Sequence, residues 1–113
     1  MVTDRVCDLL TKSYPSVKSI IICGIESHVC VQGTALSLLD KGLDVHIVVD
    51  AVSSRTQLDR KISFERMKQA GAFLTTSESV ILTLLSDSAH PKFKQIQELI
   101  IHPSTDTGLI GIL

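Results

Sequence analysis

The sequence predicts an α/β domain built on a parallel sheet flanked by helices. Three features of the chain point there. Short apolar runs alternate with longer stretches of helical periodicity, in the order α-β-α-β-α-β-α-α. The first run, Ile20-Ile21-Ile22-Cys23, is continuously apolar rather than alternating, the mark of a strand covered on both faces. Glycine ends and serine or threonine starts recur at the junctions, so two successive β-α-β crossovers imply three parallel strands with right-handed connections.

Each element rests on its own residues. Val2 to Lys12 carries Val6, Leu9 and Leu10 at helical spacing, and Ser13-Tyr14-Pro15 breaks the helix. The first strand runs from Val17 to Cys23 and stops at Gly24. Ser27 is the expected N-cap of the next helix, with Val31, Ala35, Leu38 and Leu39 on one face. Lys41-Gly42 closes that helix with a cation near the dipole's negative end and a glycine beyond it. Val45 to Val49 forms the second strand and ends at Asp50-Ala51. Ser53 or Ser54 is expected to cap the third helix, where Phe64, Met67 and Ala70 share a face before Gly71. Ala72-Phe73-Leu74 is the third strand. Thr75-Thr76-Ser77-Glu78 reads as a capping box, Thr75 at the N-cap and Glu78 three residues on, leading a helix with Val80, Ile81, Leu84 and Leu85. After His90-Pro91, a last amphipathic helix presents Phe93, Ile96 and Leu99 or Ile100. Residues 102–113, with Pro103, Gly108 and Gly111, are expected to form an irregular tail on a single domain spanning 1–113.

Composition narrows the function classes. Lys+Arg number 11 against 12 Asp+Glu, a net charge of -1 that argues against a dedicated nucleic-acid partner. With 44% hydrophobic and 20% charged residues the chain is core-forming, and with no Trp and 4% aromatics that core has to be aliphatic. No apolar run approaches the roughly 18 residues of a membrane span, and the first residues lack signal-peptide character, so no membrane partner is expected. Three cysteines without metal-like spacing suit a reducing, cytoplasmic setting better than a disulfide framework. His28, His46, His90 and His102 are scattered, and no Cys-x-x-Cys or His-x-x-His pair suggests zinc. Gly24 with Gly33 forms neither a dinucleotide nor a Walker loop, so neither cofactor nor metal is expected.

Chemistry concentrates after the first strand. In doubly wound sheets, ligands sit beyond the C-terminal ends of the strands, where helices begin. There the chain reads Gly24-Ile25-Glu26-Ser27-His28-Val29-Cys30, which puts the Cys30 thiol in the first turn of a helix. Converging N–H groups and the helix dipole favour an anion there, which makes Cys30 a candidate nucleophile. The competing reading is a small apolar filler on a buried helix. Cys7 and Cys23 are read as filler, and the side chains of Glu26 and His28 as parts of a surface turn with a capping serine.

Gly24 to Val31 resembles the nucleophile segment of the isochorismatase-like cysteine hydrolases, which include nicotinamidases and N-carbamoylsarcosine amidases. The likeness extends through Leu39 to His46, Val49 to Arg55, Gly71 to Glu78 and His90 to Lys94, and is closest to the metazoan-type isochorismatase domain-containing proteins. The resemblance implies that Cys30 attacks an amide or related carbon of an unidentified small molecule, through a cysteine-bound intermediate. It also implies a non-proline cis bond between Ile25 and Glu26, with the backbone N–H groups of Glu26 and Cys30 forming an oxyanion hole.

The family's sheet has roughly six parallel strands in a Rossmann-like arrangement, and this chain matches its C-terminal three. The family's catalytic aspartate and lysine, and the nicotinamidase metal cluster, precede the matched region and have no counterparts here. Asp50 lies on the correct side of the sheet but matches a structural position holding the loop before Ser53 and Ser54. The chain is therefore read as an incomplete domain. It is either a hydrolase completed from elsewhere or a catalytically inert, truncated interaction or structural module. The strand at Val17–Cys23 is expected to lack a partner on one side, which favours a homo-oligomer.

Overall fold

Strands β1 (Ser19–Gly24), β2 (Asp44–Val52) and β3 (Phe73–Thr75) pair in parallel, in the order β1-β2-β3, in the computed structural model, which describes residues 2–109. Helix α1 (Asp4–Asp8) precedes β1 and continues into a π-helical turn at Leu9–Ser13. A second π-helical turn, Ser27–Val31, leads into α2 (Gln32–Asp40) between β1 and β2. Helix α3 (Gln57–Gln69) connects β2 to β3, and α4 (Ser77–Leu85) and α5 (Phe93–Ile100) follow. The expected α/β class and its three parallel strands are present.

Alternation along β2 sorts the core. Val45, Ile47 and Val49 point to one face and are buried against Val31, Ala35 and Leu38 of the Ser27–Asp40 helical segment and Phe64 and Met67 of α3. Val48 points the other way and is buried where α4 packs on β2. Registers run Ser19 to Asp44 through Ile22 to Ile47, then slip so that Gly24 pairs with Val52.

The structure corrects several boundaries and one cover. β1 is not covered on both faces: Ile20 and Ile22 pack on the core while Ile21 is 47% exposed and Cys23 is exposed. The reason is the placement of α4, which lies against β2 and leaves an apolar groove of about 290 Å³ between β1 and itself, lined by Ile21, His46, Val80 and Leu84 among others. Thr56, not Ser53 or Ser54, caps α3, its hydroxyl accepting from the Asp59 N–H at 3.0 Å. Thr76 rather than Thr75 caps α4 and accepts from Ser79, so the expected box with Glu78 does not form. Ala70 is exposed, and the buried face of α3 carries Arg60 and Ser63 instead.

Residues 103–107 follow no helix or strand, yet Leu109 beyond them is buried in the core. The Thr107 carbonyl accepts from Gln57 Nε2 (2.7 Å) and Arg60 Nη1 (3.2 Å). The expected tail from 110 to 113 lies outside the described residues.

Candidate active site

β1 ends on Gly24, whose φ of +129° is a conformation L side chains rarely adopt, while a Cβ there would meet nothing within 4 Å. Backbone and not space calls for glycine. One residue further on, the Ile25–Glu26 peptide bond is cis, at the position where the resemblance implied a cis bond. The chain then tightens into the π-helical turn, the Glu26 carbonyl accepting from the N–H groups of Val29 (3.2 Å) and Val31 (3.1 Å). Single π turns of this kind recur at functional sites. Glu26 holds the cap position, and Ser27, expected as the cap, is the first residue inside the turn. Its hydroxyl is fully buried and has no partner among the described residues.

Cys30 stands in this turn, exposed and unbonded to another cysteine. Its exposure sets aside the reading as a buried filler. Cys23 is also exposed, on the uncovered face of β1, so it fills no core either, and Cys7 is half-buried.

The loop after β2 is laced to the Cys30 turn. Ser53 N–H donates to the Gly24 carbonyl (3.1 Å), and Ser27 N–H donates to the Ser53 carbonyl (2.9 Å). Ser54 Oγ donates to Glu26 Oε2 (3.1 Å) and lies 2.5 Å from His28 Nδ1. The side chains of Glu26 and His28 are therefore half-buried and engaged across the chain rather than parts of a free surface turn. Sequence reasoning missed Ser54, because its partners are 26 and 28 positions away. Beside Ser54 opens a polar hollow of about 210 Å³, which Arg55, Thr56 and Arg60 help to line. The larger apolar groove on the β1 face includes none of the candidate site residues.

Asp50 turns elsewhere. Its carboxylate accepts from Ser77 N–H (2.8 Å) and Ser77 Oγ (2.5 Å), so it secures the start of α4 and not the loop before Ser53. Among the described residues, no group of three or more His, Cys, Asp or Glu side chains could hold a metal ion, and no helix is long and apolar enough to cross a membrane.

An isochorismatase domain matches residues 5–79, a span that contains Glu26, Cys30, Asp50 and Ser54. The chain belongs to the isochorismatase family. Isochorismatase domain-containing protein 2 of Xenopus laevis is 55% identical over 101 residues, covering 89% of this chain and 49% of the relative. The MAR1 ribonuclease of Caenorhabditis elegans superposes with a TM-score of 0.88 at 52% identity, covering 96% of this chain and 55% of that one. YcaC of Escherichia coli, described as an octameric hydrolase of unknown specificity, superposes with a TM-score of 0.69 at 28% identity, covering 85% of this chain and 53% of its own. The chain spans about half the length of the curated relatives it matches. The isochorismatase-family neighbours thus include a hydrolase and share the parallel sheet with its flanking helices.

Proposed function

We propose that this chain carries the nucleophile half of a cysteine hydrolase acting on an amide or related bond of a small molecule. The observation behind the reading is an exposed Cys30 in the first helical turn beyond a parallel strand, in an isochorismatase-family chain. In the proposed reaction Cys30 Sγ attacks the carbonyl carbon while the N–H groups of Glu26 and Cys30 receive the charge on oxygen. The C–N bond breaks, the thiol proton leaves on the amine, and water hydrolyses the thioester, returning a proton to sulfur. Activation of Cys30 and of that water is assigned to the family's aspartate and lysine, for which this chain offers no match. Asp50 is committed to Ser77 and is not proposed as their substitute.

The half-reaction is the test. p-Nitrophenyl acetate is expected to leave one acetyl group on Cys30 by mass spectrometry, and none on the Cys30→Ala protein. Multiple turnover of nicotinamide, isochorismate or carbamoyl substrates by the 113-residue chain is not expected above the Cys30→Ala control. Acetylation of Cys7 or Cys23 instead, or RNA cleavage that survives Cys30→Ala, would overturn the reading. Clear Cys30-dependent turnover would instead mean that Asp50 or a second copy completes the site.

The free cysteines favour a reducing compartment such as the cytoplasm, and the octameric YcaC relative favours a homo-oligomer. A second reading, an inert interaction module, is favoured by the exposed Ile21 face of β1.

A further inference from the structure

The polar link between the Cys30 turn and the loop after β2 constrains where protons sit. A serine hydroxyl carries one proton, and an ionised carboxylate only accepts, so the contact of Ser54 Oγ with Glu26 Oε2 at 3.1 Å takes that proton. Ser54 Oγ and His28 Nδ1 nevertheless approach to 2.5 Å, closer than an ordinary N–H···O bond, and two facing lone pairs would repel at that distance without a second proton between them. With the serine proton already spent, only the ring can supply it. We infer that His28 donates an Nδ1–H to Ser54, and that His28 and Ser54 are positioning residues that hold the Glu26 peptide and the Cys30 turn. The role in positioning rests on the function proposed for Cys30 and Glu26; the proton placement does not.

The geometry favours such a role over a decorative surface contact. Glu26 and His28 bracket Ser27, whose own hydroxyl is buried without a partner among the described residues and whose N–H is held by Ser53. The chain Nδ1–H to Oγ–H to carboxylate runs in one direction through half-buried groups and ends on a charge, the arrangement in which each bond strengthens the next. It ties the residue just after the cis bond to the loop that leads into α3. An oxyanion donor is useful only when held to within about 0.5 Å of its productive place, and Glu26 is the proposed donor.

Long-range ¹H–¹⁵N spectra of the ¹⁵N-histidine-labelled chain at pH 8 read the ring directly, with His28 assigned by its absence in His28→Asn. Nδ1 is expected to be protonated in the wild type and to lose that proton to Nε2 in Ser54→Ala. Iodoacetamide labelling of Cys30 is expected to slow about tenfold in Ser54→Ala and in His28→Leu, and to stay within about twofold in His28→Asn, whose amide N–H occupies the Nδ1 position. Backbone amide spectra identify any variant that fails to fold, and the two loss variants stand in for each other. An unprotonated Nδ1 in the wild type, or folded loss variants that label at the wild-type rate, would overturn the inference. If Cys30 is not the fastest thiol in the wild type, the proposed function fails on that measurement alone, before any variant is compared.

Discussion

Cys23 and Cys30 are both exposed thiols, yet they stand on different backbone. Cys23 lies within β1, whereas Cys30 lies in the opening turn of the Ser27–Asp40 helical segment, at the positive end of its dipole. The thiolate is the attacking form. Iodoacetamide at pH 7 is therefore expected to modify Cys30 ahead of Cys23 and Cys7, read by peptide mapping over time. Faster labelling of either of the other two would remove support for the nucleophile assignment. The place of Cys30 at a helix start is legible in the sequence because an apolar strand and a glycine lie within a few residues of it. Ser54 is not, since its value comes from residues brought beside it only by the sheet. Arg60 is hidden for the same reason. The residue is 7% exposed and its guanidinium spans the Val49 and Thr107 carbonyls, which no local pattern of α3 discloses.

Helix starts and strand faces mark how far local pattern reaches. The order of strands and helices follows from alternating apolar runs and glycine stops, and the structure repeats it element by element. Caps are less readable, because several hydroxyl residues sit side by side at each junction and backbone geometry chooses among them. Thr56 wins over Ser53 and Ser54, whose groups are drawn into the Cys30 turn instead. α4 takes a cap from its own Thr76 and a second from Asp50 on β2. Asp50→Ala would leave the Ser77 N–H and hydroxyl without that acceptor and is expected to cost about 1–3 kcal/mol in urea denaturation. Cys30 alkylation in the same protein should be unchanged. Slowed labelling at unaltered stability would return Asp50 to the chemistry.

At the scale of the molecule, β1 is an edge strand of the described sheet, with Ile21 exposed on the side facing α4. An edge presents N–H and C=O groups that can accept another strand, and Lys18 beside it is modest protection. The 113-residue chain is expected to self-associate through this strand at micromolar concentration, and Ile21→Lys to shift sedimentation toward the monomer. A wild-type chain that stays monomeric and unfolds cooperatively would show that the edge is closed by other means. At the other end of the chain, local pattern alone would suggest trimming near His102, where periodicity stops. Cutting after Thr105 would take Leu109 out of the core and remove the Thr107 oxygen from a buried guanidinium. Such a trimmed protein is expected to lose its cooperative thermal transition, so the boundary for any expressible unit falls beyond Leu109, and affinity tags there need a spacer that leaves it seated.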